Sequence, residues 1–71
     1  MILKRYIVTN QFVQSGRVFL KGTRGKVEDE NYRYNNQNLI RVRPDDISEQ
    51  YGDGGWNIDK IHPLEVYEVE I

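Results

Sequence analysis

The stretch Val18-Phe19-Leu20-Lys21-Gly22-Thr23-Arg24-Gly25-Lys26-Val27 runs apolar, breaks at two glycines three positions apart, and turns apolar again. Glycine accepts positive φ without a Cβ clash, so this spacing predicts a tight reversal between two extended segments. A chain that reverses on so few residues is committed to short paired strands. Composition agrees: none of the 71 residues is alanine, and Val, Ile, Tyr, Phe, Thr, Asn and Gly favour strands and turns over helix.

Length allows a single domain, residues 1–71. Ordering it costs on the order of 100 kcal/mol, so a thin core must be well packed. The aromatics Tyr6, Phe12, Phe19, Tyr32, Tyr34, Tyr51, Trp56 and Tyr67 are the main resource for that core. There is no cysteine to staple the fold or hold a metal as thiolate. The N-terminus lacks a signal-peptide pattern, and no run approaches the ~18 apolar residues that span a bilayer. A cytoplasmic protein without membrane contact is expected.

Lys4 to Val13 reads as a first extended segment with an unclean period, as in a strand that bends midway. Ser15-Gly16 is a turn signal. Tyr32 and Tyr34 share a face if the polar stretch Asp29–Asn38 is extended, and Asn35-Asn36-Gln37-Asn38 marks a hairpin tip. Leu39–Arg43 is the clearest strand, with Ile40 and Val42 inward and Arg41 and Arg43 outward. Pro44-Asp45-Asp46 stops it, and a loop with scope for a helical turn at Asp46–Gln50 follows. Trp56-Asn57-Ile58 resumes strand character. Ile61-His62-Pro63-Leu64 predicts a tight turn of 3₁₀ type before a last strand, Val66–Ile71. The sum is an all-β domain: a small, five-stranded, partly open barrel.

The segment Leu20-Lys21-Gly22-Thr23-Arg24-Gly25-Lys26-Val27 resembles the lysine-glycine-x-x-glycine-x-valine core of KOW modules, within the SH3-like small barrels. Gly16 and Val18 sit nearer to this turn than the family's further glycine and valines do. The order of a mid-chain strand, Trp56, the Pro63 turn and a closing strand extends the likeness. The resemblance implies an SH3-like barrel. KOW-type modules are parts of ribosomal or elongation proteins that bind RNA or protein, and the wider set includes short stand-alone phage and plasmid proteins that bind a host protein.

Net charge is only −1, yet charge is segregated along the chain. Lys4, Arg5, Arg17, Lys21, Arg24 and Lys26 precede Glu28, the first acid, whereas Asp45, Asp46, Glu49, Asp53, Asp59, Glu65, Glu68 and Glu70 face only Lys60 after Pro44. Pairing of strands from the two ends would set opposite charges across the sheet. A basic face for a polyanion is the alternative, with Lys21, Arg24, Lys26, Arg33, Arg41 and Arg43 tracking phosphates and Tyr32 and Tyr34 stacking bases. The acidic second half argues against it, because small nucleic-acid modules are plainly basic. Trp56, behind two glycines, is a core residue or the aromatic anchor of a protein-binding face.

Catalytic readings fail on residue types. The glycine turn lacks the earlier glycine and the following Ser or Thr of a phosphate-binding loop. Asp45-Asp46 and Asp29-Glu30 are adjacent pairs suited to turns, with no cleft to separate their pKa values. His62 stands without a nucleophile, and Asp53-Gly54-Gly55 lacks the alternating oxygen ligands of a calcium loop. The sequence therefore predicts a non-enzyme with no cofactor and no metal, docking on a cellular protein. Nucleic acid is the alternative partner, and an unpaired barrel edge leaves a homodimer open.

Overall fold

A computed structural model describes residues 1–50, 52 and 54–71; Tyr51 and Asp53, read above as a core aromatic and a loop acid, lie outside the described residues. The described chain forms β1 (Ile2–Val8), β2 (Phe12–Gln14), β3 (Arg17–Phe19), β4 (Arg24–Tyr34), β5 (Gln37–Pro44), a 3₁₀ helix at Ile47–Glu49, β6 (Trp56–Asp59) and β7 (Leu64–Glu70). Five of these strands make one antiparallel sheet in the order β6-β5-β4-β1-β7, and β2 pairs with β3 in a separate hairpin. The fold is all β, and the main sheet is open, with β6 and β7 as its edges.

Two expectations are corrected. The described residues form seven strands, five in the main sheet and two in the separate hairpin, and Lys4–Val13 is two of them, separated by Thr9–Gln11. The 3₁₀ helix lies at Ile47–Glu49 and not at Ile61–Leu64. At the latter site the His62 N–H donates to the Asp59 carbonyl at 3.2 Å, but Pro63 has no N–H to continue the series. At the former, the Asp46 carboxylate accepts from both the N–H (3.0 Å) and the hydroxyl (2.7 Å) of Ser48 and caps the helix. Those bonds hold the Asp46 carboxyl below its ordinary range.

β4 is long because it serves two neighbours. Its first residues, Arg24–Lys26, pair with β1, and Gly25 to Tyr34 pair with β5. Two register shifts, between Val27 and Asp29 and between Asp29 and Tyr32, bend it so that its second half departs from β1. A two-residue turn, Asn35 (φ 50°) and Asn36 (φ 61°), then leads into β5. Both values are those of a type I′ hairpin, which asparagine tolerates. Of the two glycines in the opening motif, only Gly22 has positive φ, at 90°. Gly25 sits within β4 for want of space: a Cβ there would meet the Arg43 carbonyl oxygen, Tyr6 Cε1 at 2.6 Å and Pro44 Cα at 2.8 Å.

The inward faces supply the core: Tyr6, Val8, Phe12, Phe19, Val27, Ile40, Val42 and Ile58, with Trp56 and Leu64 packed at its margin. Besides the packing of Phe12 and Phe19 in that core, one side chain ties the β2–β3 hairpin to β6 by hydrogen bonds. Gln14 donates through Nε2 to the Asn57 carbonyl (2.7 Å) and accepts through Oε1 from the Asp59 N–H (2.9 Å). Its amide thus occupies, on the outer edge of β6, one C=O and one N–H of those that a further strand would use.

Candidate functional site

The Ser15–Gly16 turn, with φ of 52° and 75°, ends β2 and delivers Arg17 to the side of the sheet where β6 begins. There the Arg17 guanidinium lies 4.3 Å from the centroid of the Trp56 ring. The Glu49 carbonyl, at the end of the 3₁₀ helix, accepts from Arg17 Nη2 and from Trp56 Nε1, both at 3.0 Å. Both polar tips are therefore satisfied in place, and the indole is fixed in orientation. Phe19 meets Trp56 edge-on at 5.9 Å, Phe12 stacks on Phe19 at 4.8 Å, and the His62 ring stacks on Phe12 at 4.3 Å. Arginine and four rings thus form one continuous ladder from Arg17 to His62.

Depressions open on either side of Ser15. One, of about 470 Å³, is lined by Ser15, Gly16, Arg17 and Trp56. The other, of about 330 Å³, is lined by Gln14, Ser15, Tyr34, Gln37, Leu39, Asn57, Asp59 and His62. Tyr34 stands up from the β4–β5 hairpin with more than half its surface exposed, while Leu39 is buried in the floor. The two depressions adjoin at Ser15, and the second lies between the β2–β3 turn and the β4–β5 hairpin; together they form the candidate groove. It carries a cation at one end, Arg17, and a carboxylate, Asp59, towards the other.

The structure separates the residues singled out in the sequence. Trp56 and Tyr34 belong to this groove. Tyr32, opposite Leu39, is half-buried, and Arg33, opposite Asn38, is exposed on the other face of the strand. Lys21 is exposed in the turn before β4. Arg24, Lys26, Arg41 and Arg43 lie on the outer face of the main sheet, where the register places Lys26 directly between Arg5 of β1 and Arg43 of β5. Acids answer much of that charge. Arg5 pairs with Asp45, and Glu28 takes Arg43 at 3.5 Å and Arg41 at 3.9 Å. Asp45, with Tyr67 beside it, holds the Arg5 guanidinium above its ordinary value. Arg41 also donates to Asn57 Oδ1 at 3.0 Å. At the open end of the sheet Lys4 pairs with Glu30 at 3.0 Å, which raises the lysine.

Arg17, Phe12, Phe19 and the stacking role of His62 escape a reading of the sequence alone. Each is unremarkable in its own segment, and only the docking of the hairpin on β6 brings them together. Among the described residues no three His, Asp or Glu side chains gather to hold a metal, and no helix is long and apolar enough to cross a membrane. No family model matches the chain, and neither does a curated protein or a solved structure.

Proposed function

We propose that this protein is a non-catalytic binding module, an SH3-like partly open barrel that docks on another protein through the groove between the β2–β3 turn and the β4–β5 hairpin. The sheet order supports the barrel: β1 lies between β7 and β4, and two bulges curl β4 away from it. The observation that carries the binding reading is the ladder of Arg17, Trp56, Phe19, Phe12 and His62 beside the exposed Tyr34. Trp, Tyr and Arg dominate the energetics of protein interfaces, and anchors already held in place lose little entropy on docking. Nucleic acid is disfavoured because Arg41 and Arg43, on the face they share with Arg24 and Lys26, are engaged by Glu28, and Arg33 sits apart on the β4–β5 hairpin.

Affinity capture from nuclease-treated lysate tests the reading. The expected result is a protein retained by the wild type and lost by Tyr34→Ala and Arg17→Ala, both still folded by circular dichroism. Retention of the same protein by both variants would refute the groove. A low-salt gel shift abolished by Lys26→Glu and indifferent to Tyr34→Ala would replace it with the polyanion reading.

A further inference from the structure

We infer that the free edge of β7 is a second docking site, which takes an extended, basic segment of a partner protein as an added strand. The ladder between β1 and β7 identifies the unused backbone groups. The Ile71 N–H donates to the Met1 carbonyl at 2.9 Å, and the Thr9 N–H donates to the Pro63 carbonyl at 3.0 Å. Hydrogen-bonded pairs alternate in an antiparallel ladder, so in this register Leu3 with Val69, Arg5 with Tyr67 and Ile7 with Glu65 are bonded. The N–H and C=O of Val66, Glu68 and Glu70 consequently point away from β1, along an edge with no neighbouring strand among the described residues.

The surroundings of that edge are specific. Val66 shares a face with the core residue Tyr6 and lines, with Leu64, a wedge of about 230 Å³ floored by the buried Ile40 and rimmed by Glu30 and Lys60. The wedge exists because the second half of β4 has bent away from β1. Glu68 and Glu70 follow Val66 on the same face, and Glu65 lies on the other with Tyr67 and Val69. β7 contains three glutamates and no cation.

Charge selects the occupant. A second copy pairing edge to edge would bring six carboxylates onto two adjacent strands with no cation between them, which opposes a homodimer here. Acids on an edge commonly deter self-association. The same acids favour a strand carrying Lys or Arg opposite Glu68 and Glu70, with apolar residues over Tyr67 and Val69 on the other face. This site shares no residue with the Trp56 groove, so either surface can fail without the other.

The test uses the whole chain labelled for NMR, titrated with a capped peptide of four Lys-Val repeats and, separately, four Glu-Val repeats. The expected result is saturable shifts and slowed exchange at the Val66, Glu68 and Glu70 amides with the lysine peptide alone, weakening as salt rises. Glu68→Pro removes one outward N–H and one carboxylate and leaves the β1 ladder intact. It should weaken the peptide about tenfold or more. Glu68→Gln with Glu70→Gln removes charge alone, should keep the fold, and should weaken binding about fivefold. Equal binding of the two peptides, shifts confined to Ser15, Tyr34 and Trp56, or a peptide-free dimer that already protects the β7 amides would each overturn the inference.

Discussion

Alanine at Gly25 and alanine at Gly22 should differ sharply, although both glycines belong to one motif. At Gly25 the added Cβ would lie 2.8 Å from Pro44 Cα and 2.6 Å from Tyr6 Cε1, and it would also strike the Arg43 carbonyl oxygen. Two of those three atoms are backbone of β5, which pairs with β4 at this point, and the third belongs to a fully buried ring. None can withdraw without parting strands in the centre of the sheet. Overpacking of this kind costs about 3 kcal/mol or more, which for a domain of this size lowers Tm by roughly 12–24 °C. At Gly22 nothing stands within 4 Å of the new methyl group, and only the φ of 90° resists it. That strain costs about 1–2 kcal/mol. Urea unfolding followed by Trp56 fluorescence gives both values on one scale. A Gly25→Ala protein no less stable than Gly22→Ala would refute the claim that close strand packing, and not turn conformation, requires the second glycine.

Tyr6→Phe removes a hydroxyl that is fully enclosed and has no hydrogen-bond partner among the described residues, so it should be neutral or stabilising by up to about 1 kcal/mol in chemical denaturation. Burial first, then the negative charges of Asp45 and Glu49, raise the Tyr6 phenol above its ordinary 10.0. The folded state therefore keeps the proton that the unfolded state releases, and stability should fall as pH rises beyond about 10, with a smaller loss in Tyr6→Phe. Gln14→Ala severs both bonds between the β2–β3 hairpin and β6 and should cost about 1–3 kcal/mol. The Asp59 amide should then exchange faster, measured by NMR; unchanged exchange there would show that the hairpin is held by its aromatic contacts alone.

What the sequence disclosed was what alternation and turn chemistry encode locally. β5 follows its two-residue period, Ser15-Gly16 and Asn35-Asn36 form the turns their side chains suit, and Gly22 takes the positive φ assigned to it, whereas in β7 Glu68 and Glu70 share the core-side face with Val66 and the alternation does not sort burial. Gly25 was misassigned because a glycine kept for lack of space looks, in one dimension, like a glycine kept for backbone freedom. The break at Thr9–Gln11 is hidden because apolar residues recur on both sides of it and only the strands' partners differ. The candidate site was half legible. Trp56 and Tyr34 are already candidates in the sequence, Trp56 as core residue or anchor and Tyr34 as a stacking ring, whereas Arg17 acquires its place only when Trp56 and the Glu49 carbonyl converge on it from a distant part of the chain.

Gln14 makes the two lateral boundaries of the sheet unequal. One boundary is partly capped by a glutamine amide standing in for peptide groups, and the other has no neighbouring strand among the described residues. A strand edge carries N–H donors and C=O acceptors alike, so endless stacking in the sheet direction needs two open edges on every copy. With the β6 edge partly capped by Gln14, strand addition is directed to the β7 edge.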